Sequence, residues 1–282
     1  MQKYSALIQK ITEFAQSSPL VDAVVVIGSQ ARENTPADEY SDLDLLFFVK
    51  DTDYFLFNDE WLHTLGNFHI SFIEDTPGGE KERRVLFEGC LDVDFVILPS
   101  GITVDSSSGA ILSRGYRVLV DKIGIGAALD KLTFPPNTYT IMAEAEFLNL
   151  ANDFWYHTIW TVKKIKRGEL WTAKSCADSY LKYILLRVIE LQAHVNNGPE
   201  YDTWHNGRLI EKWADGSVIA RIPLVFSRYE PKEMIKALQA IMELFRIITM
   251  DISKKLGYSY PHKADSFAQS WIMTECAEEL AQ

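Results

Sequence analysis

Long apolar runs are missing from this chain: no stretch of its 282 residues approaches the roughly 20 apolar residues needed to span a bilayer. The N-terminal MQKYSALIQKITEFAQ is polar and amphipathic, without the apolar core and small-residue cleavage site of a signal peptide. Cysteine is scarce. The three present, Cys90, Cys176 and Cys276, are widely spaced and form no Cys-x-x-Cys pair, which speaks against a disulfide framework and against a zinc site. A reducing compartment, the cytoplasm, is therefore expected, with no membrane partner. No Gly-x-x-x-x-Gly-Lys loop is present, which counts against a P-loop enzyme. No Ser or Cys sits in a recognisable nucleophile elbow. The six histidines lack metal-ligand spacing, and there is no internal repeat or low-complexity tract.

Positive charge is also in short supply. Against 39 acidic residues stand 28 Lys and Arg, a net charge of −11. Residues 1–135 carry 21 acidic and 11 basic side chains, whereas the remainder is almost balanced, with 18 and 17. A nucleic-acid binder normally presents a net basic surface, because phosphate contacts dominate that affinity. An acidic N-terminal half points instead to a cationic partner or to bound metal ions. Nucleic acid is not expected as a partner.

What is present is a switch of pattern along the chain. Leu7, Ile8, Ile11, Phe14 and Ala15 recur at helical spacing. VDAVVVIG is an apolar, β-branched run of strand length ending at Gly28, and SQARENTPADEY reads as a short helical turn broken by Asn34 and Pro36. SDLDLLFFVK is a second strand, residues 53–66 a helix stopped by Gly66, HISFIED a third strand, and RRVLFEG with LDVDFVILP a hairpin-like pair. The Pro135-Pro136 pair in DKLTFPPNTYT marks the best boundary. Beyond it the pattern predicts three long helices: one stopping near Gly168, one spanning TAKSCADSYLKYILLRVIELQAHVNNG, and one from Pro231 to Gly257. The expected class is α+β, a mixed β-sheet domain over residues 1–135 followed by a helical bundle over 136–282.

The informative constellation is Gly28-Ser29 followed, after twelve residues, by Asp42-Leu43-Asp44 at the head of an apolar strand. Residues two apart on a strand share a face, roughly 6.6 Å apart. Asp42 and Asp44 thus project together while Leu43 and Leu45 enter the core. Neighbouring carboxylates repel and retain protons unless a cation lies between them. A third carboxylate is available on Leu91–Leu98, where Asp92 and Asp94 share a face. Asp94 lies deeper in the apolar run, leaving Asp92 as a supporting or substrate-binding group. Oxygen-only ligands favour magnesium, and three carboxylates can hold two ions roughly 4 Å apart for in-line phosphoryl chemistry. A glycine directly after a buried strand lets a phosphate approach the backbone, and Ser29 adds N–H and hydroxyl donors. In the helical half, Glu146, Asn149, Asp153, His157, Trp160 and Lys163 or Lys164 follow at steps of three or four, a polar and aromatic stripe suited to lining a cleft.

These residues resemble the DNA polymerase β-like nucleotidyltransferase superfamily, with its Gly-Ser, Asp-x-Asp and later third Asp. More closely, VVVIGSQAREN, YSDLDLLFFV, VLFEGCLDVDFVILP and NDFWYHTIWTVKKIKRGEL are similar to the aminoglycoside 6-adenylyltransferase (streptomycin adenylyltransferase) family, from about residue 5 to 260. The resemblance implies a nucleotidyltransferase domain followed by a helical substrate- and nucleotide-binding domain. It implies transfer of AMP from ATP to a hydroxyl of a cationic aminoglycoside such as streptomycin, with release of pyrophosphate. Asp42, Asp44 and Asp94 would hold two magnesium ions, and Gly28, Ser29 and Lys163 would bind the triphosphate. Asp153 would meet acceptor ammonium groups, and either Asp94 or Asp153 would serve as the base. Between Asp75 and Arg83 the chain has only TPGGEKE, shorter than the family's acidic, proline-containing insertion, which puts the acceptor in question. AMP transfer to a protein or another small molecule, or a silent nucleotide-binding regulator, remain as alternatives. The oligomeric state is expected to be monomer or homodimer.

Overall fold

A computed structural model of the chain describes residues 3–32, 37–76, 78–102, 112–133 and 138–280. Asn34, Pro36 and the Pro135-Pro136 pair lie outside the described residues. The chain divides into two units, Met1–Pro135 and Pro136–Gln282.

In the first unit, α1 (Ser5–Ser17) buries Leu7, Ile11 and Ala15. It leads into β1 (Val21–Ile27), whose residues are all buried. β2 (Leu43–Val49) follows, then two short helices, α2 (Thr52–Phe57) and α3 (Glu60–Leu65). The sequence pattern predicts a single helix here. The Asn58 side chain instead accepts the Glu60 N–H at 2.7 Å, a local bond that competes with helix continuation. The sheet is completed by β3 (Phe68–Asp75), β4 (Lys81–Phe87), β5 (Leu91–Pro99) and β6 (Arg117–Asp121), in the order β3-β4-β5-β2-β1-β6. β2 and β5 run parallel, while every other neighbouring pair is antiparallel. The sequence reading does not include β6, a five-residue strand paired only with β1.

Strand alternation divides the sheet into two faces. Leu43, Leu45, Phe47, Val85, Val93 and Phe95 join the residues of α1–α3 in one core, where Trp61 packs edge-on to Phe95 at 4.9 Å. The opposite face is covered in part by Ala23, Val25, Ile27, Phe48 and Leu98, with Ile125 and Leu129 from α4 (Ile125–Leu129). Charged side chains occupy that same face beyond this apolar cover.

The second unit is helical. α5 (Glu144–Lys166) and α8 (Pro231–Leu256) contribute Phe154 and Phe245, stacked at 3.6 Å in the core. Pro231 occupies the first turn of α8 and Gly257, at φ +71°, ends it. The second predicted helix is interrupted: α6 (Leu170–Ser175) passes through a π-helical stretch, Cys176–Leu181, into α7 (Lys182–Asn197). A further helix, α9 (His262–Glu275), was not anticipated. No helix among the described residues is long and apolar enough to cross a membrane.

Candidate active site

One row of backbone pairing builds the site in the first unit. Ile27 pairs with Asp44, Asp44 with Asp94, and Asp94 with Arg84. Because paired residues project to the same side, Asp44 and Asp94 meet on the face that the apolar cover leaves open. Asp42, one residue ahead of β2, completes the group. Oxygen atoms of Asp42, Asp44 and Asp94 lie within 4.8 Å of one another.

The glycine turn closes against this group. Gly28 adopts φ +66°, and a Cβ at this position would stand 1.9 Å from Asp44 Oδ2. Any side chain here would thus be strained and would collide with the carboxylate. Ser29, buried in the 3-10 turn Gly28–Gln30, donates its hydroxyl to the Asp42 carbonyl at 3.4 Å. The five residues Gly28, Ser29, Asp42, Asp44 and Asp94 are therefore brought together.

The electrostatics follow from this crowding. Burial, then the charges of Asp42 and Asp94, push the Asp44 carboxyl up to about 7, against a smaller opposing effect of Arg32. Asp94, 6% exposed, is raised to about 6 by burial even though Arg84 favours its charged form. Arg84 donates from Nε to Asp94 Oδ1 at 2.8 Å and from a terminal nitrogen to Glu74 at 3.2 Å. Burial works against the Arg84 charge, but these bonds raise its pKa overall. Glu82, on the same face of β4, is raised by its own burial. Asp92 stands outside the three-carboxylate group. Its backbone exchanges hydrogen bonds with the buried Tyr4 hydroxyl, at 3.1 and 3.2 Å, and its charge adds to the upward pressure on Asp94.

The remaining expected residues lie in the second unit. Asp153 does not stand as a free carboxylate: Oδ1 is 2.6 Å from His157 Nδ1, and Oδ2 accepts the Tyr180 hydroxyl at 2.7 Å. Lys163 is exposed, with its ammonium 5.6 Å from the centre of the Trp271 ring. Ten residues of helix separate it from Asp153, roughly 15 Å along the axis.

A model of the streptomycin adenylyltransferase family matches residues 1–274. The chain belongs to the streptomycin adenylyltransferase family. Like its family it is a nucleotidyltransferase enzyme. It is 24% identical to the aminoglycoside 6-adenylyltransferase of Campylobacter jejuni over 89% of this chain and 88% of that one. It is 24% identical to that of Staphylococcus aureus, over 93% and 95%. The crystal structure of an aminoglycoside 6-adenyltransferase from Bacillus subtilis aligns over 95% of this chain and 97% of that one, with 20% identity and a TM-score of 0.47.

For a member of the streptomycin adenylyltransferase family, the donor set fits a hard divalent cation. It is oxygen-only and partly buried, and burial, followed by the charges of Asp42 and Asp94, pushes the Asp44 carboxyl up to about 7. Sequence reasoning missed Arg84 and Glu82. The period-two alternation of KERRVLF, set against LDVDFVILP, carries the signal, since it separates Arg84 from its neighbour Arg83. Arg83 turns to the other face, buried, and donates to the Leu56 carbonyl and to Asp59. His157 and Tyr180 were also missed as partners of Asp153. His157 meets that carboxylate from the next turn of α5, whereas Tyr180, 23 residues further on, meets it from the π-helical stretch.

Proposed function

We propose that this enzyme transfers AMP from ATP to a hydroxyl group of an aminoglycoside such as streptomycin, releasing pyrophosphate. The observation that carries the reading is the convergence of Asp42, Asp44 and Asp94 against the Gly28-Ser29 turn. Curated relatives named aminoglycoside 6-adenylyltransferase supply the acceptor class. The acidic balance of residues 1–135 suits a polycationic acceptor.

In this reading Asp42, Asp44 and Asp94 would hold two magnesium ions, which would supply neutralisation of the triphosphate charge when bound. The bare Cα of Gly28 lets the Asp44 carboxylate close against the turn, and the Gly28-Ser29 turn is the proposed contact to the triphosphate. Asp94 accepts the proton of the attacking hydroxyl, whose oxygen forms a bond to the α-phosphorus as the bond to the bridging oxygen breaks. Arg84 holds the Asp94 carboxylate in orientation through its Nε–H. Lys163 is the proposed further contact to the triphosphate, and the protein is proposed to work in the cytoplasm as a monomer or homodimer.

Incubating purified protein with ATP labelled at the α-phosphate, magnesium and streptomycin tests the reading. Label on the drug and stoichiometric pyrophosphate are expected. Label on a protein band and never on an aminoglycoside would reject it.

A further inference from the structure

We infer that the groove of the helical unit walled by His157, Trp160, Trp171 and Tyr180 seats a cationic ring of the acceptor, and that Asp153 acts by holding two of those walls in place. The seat rests on the reading above that the acceptor is a cationic aminoglycoside and adds where that acceptor is gripped. These side chains line an open cavity of about 450 Å³, with Cys176 beside them. That volume falls in the range of small-molecule sites.

Three observations favour a cation with a ring. Trp171 is 77% exposed and Tyr180 40% exposed, so two large ring faces are presented to solvent rather than packed. Indole and phenol faces attract ammonium and guanidinium groups, and Trp does so most strongly. The neighbouring Trp160 already carries a cation, since the Lys164 ammonium lies 5.1 Å from its ring centre and is itself paired with Glu169. No such cation lies over Trp171 among the described residues, so its face remains for a ligand.

The walls are also built rather than incidental. Asp153 places one oxygen on His157 Nδ1 and the other on the Tyr180 hydroxyl, and the two rings stand 4.5 Å apart. The π-helical stretch Cys176–Leu181 adds residues to the turn and so changes the direction in which Tyr180 leaves the backbone. With Nδ1 engaged, Nε2 is the His157 atom free to bond an acceptor hydroxyl. Asp153 is thus a positioning residue, and its negative charge, in contact with two of the walls, adds to the attraction for a cation.

Streptomycin is the probe, with binding measured by calorimetry alongside steady-state kinetics. Trp171→Ala is expected to raise the streptomycin Kd and KM about tenfold, with the loss confined to the acceptor and the ATP KM within twofold of wild type. Trp171→Phe should recover part of that loss. Because Trp171 is exposed, its removal leaves the core untouched. Wild-type transfer to streptomycin combined with an unaltered acceptor KM and Kd in Trp171→Ala overturns the seat and leaves the reaction standing. Binding without transfer, weakened by Trp171→Ala, upholds the cation seat and overturns the reaction. Neither binding nor transfer by the wild type overturns both.

Discussion

Arg84 donates its Nε–H to Asp94 Oδ1 at 2.8 Å from the position directly opposite on the neighbouring strand. The same guanidinium reaches Glu74 at 3.2 Å, so it is itself held from the far side. A group that orients a ligand carboxylate in this way commonly changes affinity or activity 10- to 100-fold when removed. Arg84→Ala is expected to lower kcat by about that factor. Arg84→Lys, which keeps the charge but loses the planar fork, should recover only part. Kinetics at saturating substrates, with manganese binding followed by electron paramagnetic resonance, will check both. Unchanged kcat in Arg84→Ala removes the positioning role.

Asp44 provides a pH-dependent stability test. Its carboxyl is pushed from 3.8 to about 7 in the folded chain, so the native state binds this proton more tightly than the unfolded state does. The native state is therefore penalised as pH rises from about 4 to 7, by an amount on the order of a few kcal/mol. In divalent-free buffer, Asp44→Asn should be more stable than wild type at pH 8. The gap should shrink as pH falls through 7 toward 4, and below the unfolded value of 3.8 both states of the wild type carry the proton. Denaturant melts at several pH values will show this, and a mutant less stable than wild type at pH 8 contradicts it. The same substitution, like Asp42→Asn, is expected to abolish turnover.

Gly28→Ala brings together two penalties. The φ of +66° is unfavourable for alanine, and the new methyl falls on Asp44 Oδ2. A destabilisation of about 1–3 kcal/mol is expected from strain. Displacement of Asp44 should also weaken manganese binding, so both effects appear in melts and in titrations. Wild-type metal affinity in this mutant would separate the glycine from the carboxylate group.

The helical unit contains a partly buried ion pair away from the proposed groove. Asp265, 5% exposed, accepts from Arg246 at 2.8 and 2.5 Å and from the Tyr260 hydroxyl at 2.9 Å. Arg246→Ala removes the charged partner of that carboxylate while the Tyr260 hydroxyl still donates to it, and should destabilise by about 1–3 kcal/mol. Replacement of both charged partners by apolar residues of similar volume should cost much less. Chemical denaturation of the two variants distinguishes pairing from simple loss of packing.

The α+β class, the family and most of the element order were legible in the sequence alone, but β6, α9 and the break between α2 and α3 were not. LDLLFFV alternates with the strand period, and Pro231 and Gly257 bracket a helix because one lacks an N–H and the other accepts a left-handed conformation. These are local effects of steric preference and burial, and they act within a few residues. Tertiary pairing decided what the local pattern leaves open. The register of β2, β5 and β4 placed Asp44, Asp94 and Arg84 in one row, while Asp92, two residues from Asp94, remained outside the carboxylate group. Likewise a π-helical stretch brought Tyr180 to Asp153. Side-chain identity and spacing set which groups a strand or helix presents. Only hydrogen-bond register between distant segments sets which of those groups come within a few ångströms, where charge and burial change their chemistry.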